Sequence, residues 1–190
     1  LLLNVALLGA DQSFVRMFYE RSEDKRRNLL WEAMLPSMTV GALLFIAIGV
    51  FWKDMSFVLF GDNSKFMPIL LLGVTILIGV IERFATLVVR MKKRGIAFSN
   101  LRIVNGVVDA VFTILYAVLV SRTFYAIIVG LFFSHIASLL LAVWFEKDMW
   151  FRRLHIDFRA IKHILRYGIP FVPAFLINWL FQSIDRLALR

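Results

Sequence analysis

Apolar residues run along this chain in long blocks, and charged residues collect between the blocks. The clearest block is FMPILLLGVTILIGVIERFATLVVRMKKR, Phe66 to Arg94, which has no charged side chain from Met67 to Ile81. Glu82 and Arg83 interrupt it, apolar residues resume to Val89, and Arg90, Lys92, Lys93 and Arg94 close it. At about 1.5 Å rise per residue, positions 66–89 make a helix of roughly 36 Å, enough to cross a hydrocarbon core of about 30 Å. The same reading predicts complete spans at 29–52, 103–120 and 124–145. It also predicts the last part of a span at 1–10 and the start of another at 169–190. Trp31 and Trp52 flank the first complete span as interfacial anchors do, and Pro36 is expected to kink it. The pattern therefore predicts an all-α fold, a polytopic transmembrane helix bundle.

The segments between spans carry their own pattern. DQSFVRMFYERSEDKRRN, 11–28, reads as a charged loop or short interfacial helix, with Glu23 and Arg27 spaced as a helical ion pair. In the connector 146–168, Asp157 is placed to cap a helix over 158–167 that Gly168 ends. Leu154, Phe158, Ile161 and Leu165 fall on one face of that segment and Arg159, Lys162 and Arg166 elsewhere, which predicts an amphipathic helix on the membrane surface. Counted from 11–28 onward, the connections hold five, two, five, one and six Lys plus Arg. Basic loops stay in the cytoplasm, so the first, third and fifth connections are expected there.

Bulk composition agrees with the pattern. Apolar residues make up 61% of 190 residues, charged residues 18%, and mean hydropathy is +0.79. A net charge of +9 would suit nucleic acid in another setting. Here the basic residues lie in short segments between apolar runs, as topological charge beside an anionic leaflet, and no nucleic-acid partner is expected. The chain has no cysteine, so disulfides and thiol chemistry are excluded. It begins within one apolar run and stops within another, which reads as a fragment of a longer protein.

Polar residues recur inside the spans at helical spacing, and each is costly in lipid. Thr75, Gly79, Glu82 and Thr86 share one face. Asn105, Asp109, Thr113 and Tyr116 share another. Asn178, Gln182 and Asp185 line up in the final run, with Arg186 beside them. Gly130, Ser134, Ser138 and Ala142, each four apart, form a small-residue face that predicts close helix packing. Stripes on three spans, each with a carboxylate, favour a shared polar cavity over interhelical glue alone. Arg83 and Asp109 should lie at similar depth on antiparallel helices, and an ion pair between them is expected. His135 reads as a hydrogen-bonded histidine between packed helices, with proton coupling the other reading. His155 and His163 are expected in solvent. No metal-ligand spacing, phosphate loop, nucleotide fingerprint or nucleophile elbow is present, and no cofactor is expected.

In order and spacing, GADQSFVRMFYE after a span, KRRNLL leading into the next, and RYGIPFVPAFLINWLFQSIDR after a basic connector resemble bacterial polysaccharide flippases. These are the O-antigen and exopolysaccharide transporters of the multidrug/oligosaccharidyl-lipid/polysaccharide exporter superfamily. The resemblance implies a two-lobed transporter of 12–14 helices in the bacterial inner membrane. Residues 1–168 would belong to its first lobe, from the end of helix two, and 169–190 would start the second. It further implies transfer of an oligosaccharide on undecaprenyl pyrophosphate across the cytoplasmic membrane, without enzymatic chemistry. The carrier would be a monomer, alongside glycan polymerase and assembly proteins. Arg16 and Asp185-Arg186 fall in the family-like motifs. Arg16, Arg83 and Arg186 are then candidate contacts for the anionic substrate, and Glu82, Asp109 and Asp185 candidate charge partners or ion-coupling groups. A drug or small-cation antiporter of the same superfamily is the neighbouring alternative. A membrane glycan polymerase or acyltransferase, or a structural subunit, would be a different class.

Overall fold

The computed structural model describes residues 2–120, 123–150 and 156–188, with side chains in the last stretch through Phe181. The described residues form helices in the order α1 (Leu2–Leu7), α2 (Ala10–Met17), α3 (Glu23–Val50), α4 (Trp52–Phe60), α5 (Phe66–Met91), α6 (Gly95–Leu119), α7 (Tyr125–Phe145), α8 (Lys147–Trp150), α9 (Phe158–Gly168) and α10 (Phe171–Ala188). Among the described residues five stretches are long and apolar enough to cross a membrane: α3, α5, α6, α7 and 158–181, which joins α9 to α10. The fold is an all-α, polytopic helical bundle. Leu154 and His155 lie outside the described residues.

The spans appear where the apolar blocks predict them, and the helices reach further. α3 begins six residues before the expected span and α6 eight before it, because Glu23–Asn28 and Gly95–Arg102 are helix-compatible and continue the turn without a break. The expected ion pair shifts register: Arg26 Nη1, not Arg27, meets Glu23 Oε1 at 3.4 Å. The connection after α3 is itself helical as α4, ended by Gly61 at φ +69°.

The chain divides into two compact units, 1–40 with 153–190, and 41–152. The division falls inside α3 and inside the connector between α7 and α9. In the first unit, α2 packs on α9 and α1 touches α10. Asp157 caps α9 as expected, accepting from the Arg159 N–H at 2.9 Å. The buried face of α9 is Ala160, Ile164 and Gly168, whereas Phe158 on the expected apolar face is 82% exposed. Ala160 and Gly168, one helical turn either side of the fully buried Ile164, let α2 approach closely, and that outweighs bulk hydrophobicity in choosing the protein-facing side.

Two contacts fix the α2–α9 approach. Ser13, fully buried, donates from Oγ to the Ile164 carbonyl at 2.8 Å. Gly9 sits at φ +67°, and a Cβ there would strike the Gly168 carbonyl oxygen. Glycine is required on both counts. Ser37 of α3 donates to the Leu7 carbonyl at 3.1 Å, and the buried Glu32 accepts the Asp157 N–H at 3.2 Å.

In the second unit, α7 packs extensively on both α5 and α6, which touch each other only sparsely. Its buried residues are Ala126, Ile128, Gly130, Ser134, Ser138 and Ala142, so the small-residue stripe is the packing face that its spacing predicts. The opposite surfaces stay apolar and open. On α6, Ile103, Val107, Val111, Ile114 and Val118 are 52–71% exposed. A continuous apolar stripe of that kind suits an apolar surrounding, not water.

Candidate intramembrane polar site

Glu82 is the centre of a polar cluster on the α5–α7 interface of the second unit. Its Oε1 accepts from Thr86 Oγ1 at 2.8 Å and from Ser138 Oγ at 3.0 Å. His135 Nδ1 stands 3.6 Å from Glu82 Oε2, and that nitrogen is buried. Thr86 lies one helical turn from Glu82 on α5, and Ser138 lies three residues beyond His135 on α7. The 3.6-residue period therefore delivers four polar groups to one point. A carboxylate at this depth is tolerable because hydroxyl donors and an imidazole replace water. Chemically, the cluster can hold a proton between carboxylate and imidazole, or present negative charge to a cation.

The α6–α7 interface holds a second polar seam. Asn105 Nδ2 donates to the Ser134 carbonyl at 3.4 Å, and Thr113 Oγ1 donates to Asp109 Oδ1 at 3.5 Å. Both residues belong to the stripe seen in the sequence. Gly130 admits them: a Cβ at 130 would meet the Thr113 hydroxyl and stand 2.6 Å from Asp109 Oδ1. The expected Arg83–Asp109 ion pair is not among the ion pairs of the described residues. The reason is order in space. The expectation took consecutive antiparallel helices as face-to-face partners, while α7 takes most of the contact with each. Arg83 is partly buried on α5, on a different side from Glu82.

One end of the second unit is clamped by charge. Glu146, 1% exposed at its side chain, pairs with Lys92 Nζ and with Arg94 Nε, the latter at 3.1 Å. Arg94 Nη1 also donates to the Phe145 carbonyl at 3.1 Å, at the C-terminal end of α7. Cations at that end complement the helix dipole. The basic loop after α5 and the connector after α7 thus meet, as two connections assigned to the same membrane side must be able to do. At the other end, Lys65, Phe66, Pro68, Tyr116 and Tyr125 line an open cleft of about 570 Å³.

The remaining sequence candidates fall elsewhere. Arg16, on α2 in the first unit, lies with its guanidinium 4.5 Å over the Tyr167 ring of α9 and its Nε 4.0 Å from Glu20 Oε1. Asp185 and Arg186 are carried by the backbone of α10, and their side chains lie outside the described residues. Among the described residues no group of three or more His, Cys, Asp or Glu could hold a metal ion. Sequence reasoning missed Glu146, Glu32 and Tyr167 as partners. For Glu146 the available signal was its position immediately after an apolar block, opposite a loop of five basic residues.

The chain's pattern matches a family model described as polysaccharide biosynthesis protein over residues 1–190. It belongs to that family. No curated protein and no solved structure matches it. The polysaccharide biosynthesis family membership and the membrane-length helices together make the chain a membrane protein of polysaccharide biosynthesis and export. They agree with the polysaccharide-flippase family suggested by the motifs at 9–20, 25–30 and 166–186. In this family member the intramembrane carboxylates Glu82 and Asp109 lie on helix–helix seams lined by Ser, Thr, Asn and Gly.

Proposed function

We propose that the protein carries a lipid-linked oligosaccharide, held on undecaprenyl pyrophosphate, from the cytoplasmic to the outer leaflet of a bacterial inner membrane. The observation that carries this reading is the family match across the whole chain. Polar groups inside the spans support it, since an anchor needs none. Arg16, Arg83 and Arg186 are the proposed contacts for the anionic carrier. Glu82, with His135, is the proposed ion-coupling group, and Asp109 and Asp185 are charge partners. No catalytic role is assigned, because a polymerase or acyltransferase would gather nucleophile, base and oxyanion donors at one place.

The test is deletion and complementation in the native host, with the lipid-linked repeat unit measured on each leaflet. Loss of the protein should accumulate it on the cytoplasmic face, and the wild-type gene should clear it. Loss of surface polysaccharide without that accumulation would rule the transport reading out and favour polymerisation. The drug-antiporter alternative predicts neither phenotype, and instead a change in resistance to cationic compounds.

A further inference from the structure

The α2–α9 contact in the first unit builds a pocket that the polar seams of the spans do not explain. Ser13 to Ile164 and Gly9 to Gly168 hold the two helices backbone to backbone. Arg16, Glu20, His163, Arg166 and Tyr167, above the buried Met17, line a cavity of about 320 Å³. At about 30 Å³ per water, it has room for roughly ten waters or a hydrated anion of comparable bulk.

The lining is cationic. Two guanidinium groups and an imidazole face one carboxylate, and that carboxylate, Glu20, stands 4.0 Å from Arg16 alone. Arg16 is held in place by the Tyr167 ring at 4.5 Å. Hydrogen bonding to the Tyr167 phenol also raises the arginine's pKa above its ordinary value, and a guanidinium stays charged at any physiological pH. His163, Arg166 and Tyr167 are three and four residues apart on α9, which brings them to one face. Planar guanidinium forks match phosphate oxygens in pairs, and two on a fixed scaffold select phosphate over a diffuse counter-ion.

Position narrows the ligand. Both α2 and α9 lie in connections assigned to the cytoplasmic side, the two richest in basic residues apart from the loop after α5. Phe158 begins α9 at 82% exposed, beside exposed Arg159 and Lys162. An exposed aromatic with cations on one short helix suits an anionic leaflet surface. We infer that the α2–α9 pocket binds the phosphate of a lipid headgroup at the cytoplasmic membrane surface. The phosphate could belong to a resident anionic phospholipid or to the pyrophosphate of a lipid-linked glycan, and the inference stands whichever cargo the protein moves.

The experiment is native mass spectrometry of the full-length protein in neutral detergent, titrated with phosphatidylglycerol, undecaprenyl pyrophosphate or, as control, phosphatidylcholine. Wild type is compared with R16Q/R166Q and with R159Q/K162Q, which removes the same charge one turn away. The pocket variant should lose about tenfold or more in affinity for at least one anionic lipid, as expected when both guanidinium forks are replaced by neutral amides. R159Q/K162Q should bind within about twofold of wild type, and R16K/R166K should fall between, because lysine keeps charge without the fork. Selective loss of phosphatidylglycerol assigns a resident lipid, and selective loss of undecaprenyl pyrophosphate assigns the carrier. Equal loss in both double variants, or unchanged binding in R16Q/R166Q with an unchanged melting temperature, overturns the inference. A substitution that unfolds the protein is distinguished by its melting curve, and R16K/R166K then decides.

Discussion

The α2–α9 contact and the α6–α7 contact use the same device for opposite ends. In each, glycine lets two helices touch where a Cβ could not fit, and a hydrogen bond to a backbone carbonyl crosses the contact: Gly9 against Gly168 with Ser13 Oγ to Ile164, and Gly130 against Asp109 and Thr113 with Asn105 Nδ2 to Ser134. On α2 and α9 the close approach turns charged side chains outward, so Arg16, His163 and Arg166 ring an open pocket. On α6 and α7 it turns polar side chains inward, where Asp109 and Asn105 are shielded and an apolar stripe faces out. Close packing therefore does not dictate polarity. The surrounding medium does: water rewards exposed charge, while hydrocarbon makes every polar group seek a partner within the protein.

That contrast can be broken at its glycines. Gly9→Ala should have the largest effect, about 3 kcal/mol or more, because a Cβ at φ +67° meets only backbone atoms of Gly168. No side-chain change can relieve it. Gly130→Ala should cost roughly 1–3 kcal/mol, and Thr113→Ala in the same protein should recover part of it, since the nearest obstacle there is a side-chain hydroxyl. Thermal melting of both variants and the double variant in detergent measures this. Equal losses, or no recovery, would show that the two contacts are alike after all.

Next in size is Glu82→Leu, which strands two hydroxyls and an imidazole in a dry interface. A loss of about 1–3 kcal/mol is expected, moderated because Thr86 and Ser138 can turn to carbonyls of their own helices. Glu82→Gln should keep most of the stability while abolishing transport, if the carboxylate couples an ion. Leaflet-resolved transport beside melting separates the two. Glu146→Gln should follow at about 1–2 kcal/mol, since it leaves Lys92 and Arg94 without their buried partner. Faster amide exchange in the loop between α5 and α6 reports that loosening.

The smallest effect belongs to Asp62 in the turn before α5. Hydrogen bonds from the side chain and the N–H of Ser64 hold its carboxyl below the ordinary aspartate range. A folded-state pKa below the unfolded value adds stability at pH above the unfolded value, and the contribution disappears as pH falls through the folded one. Stability should therefore decline slightly only below about pH 4, and Asp62→Asn should flatten that part of the melting-versus-pH curve.

Much of the fold was legible because lipid imposes a strict rule. Spans must be helical, apolar and near twenty residues, so 66–89 and 124–145 were readable to within a turn. The stripe Gly130–Ser134–Ser138–Ala142 announced a packing face for the same reason, as small residues have no other use at that spacing. Arg83 and Asp109 show where such reading stops. Depth along a helix follows from residue number, but which helix stands beside which does not. α7 supplied neighbours for both Glu82 and Asp109 that no spacing along α5 or α6 could reveal.

By itself, the sequence determined the helical class, the positions of the membrane-length helices, the basic loops and the polar stripes, because each depends on local periodicity and the cost of charge in hydrocarbon. Only the tertiary structure decided the partners. It placed His135 and Ser138 at Glu82, Glu146 between Lys92 and Arg94, and Arg16 over Tyr167, all of them tens of residues or more apart in the chain. Such contacts depend on which helices meet and how closely, and that is settled by side-chain volumes summed over whole interfaces.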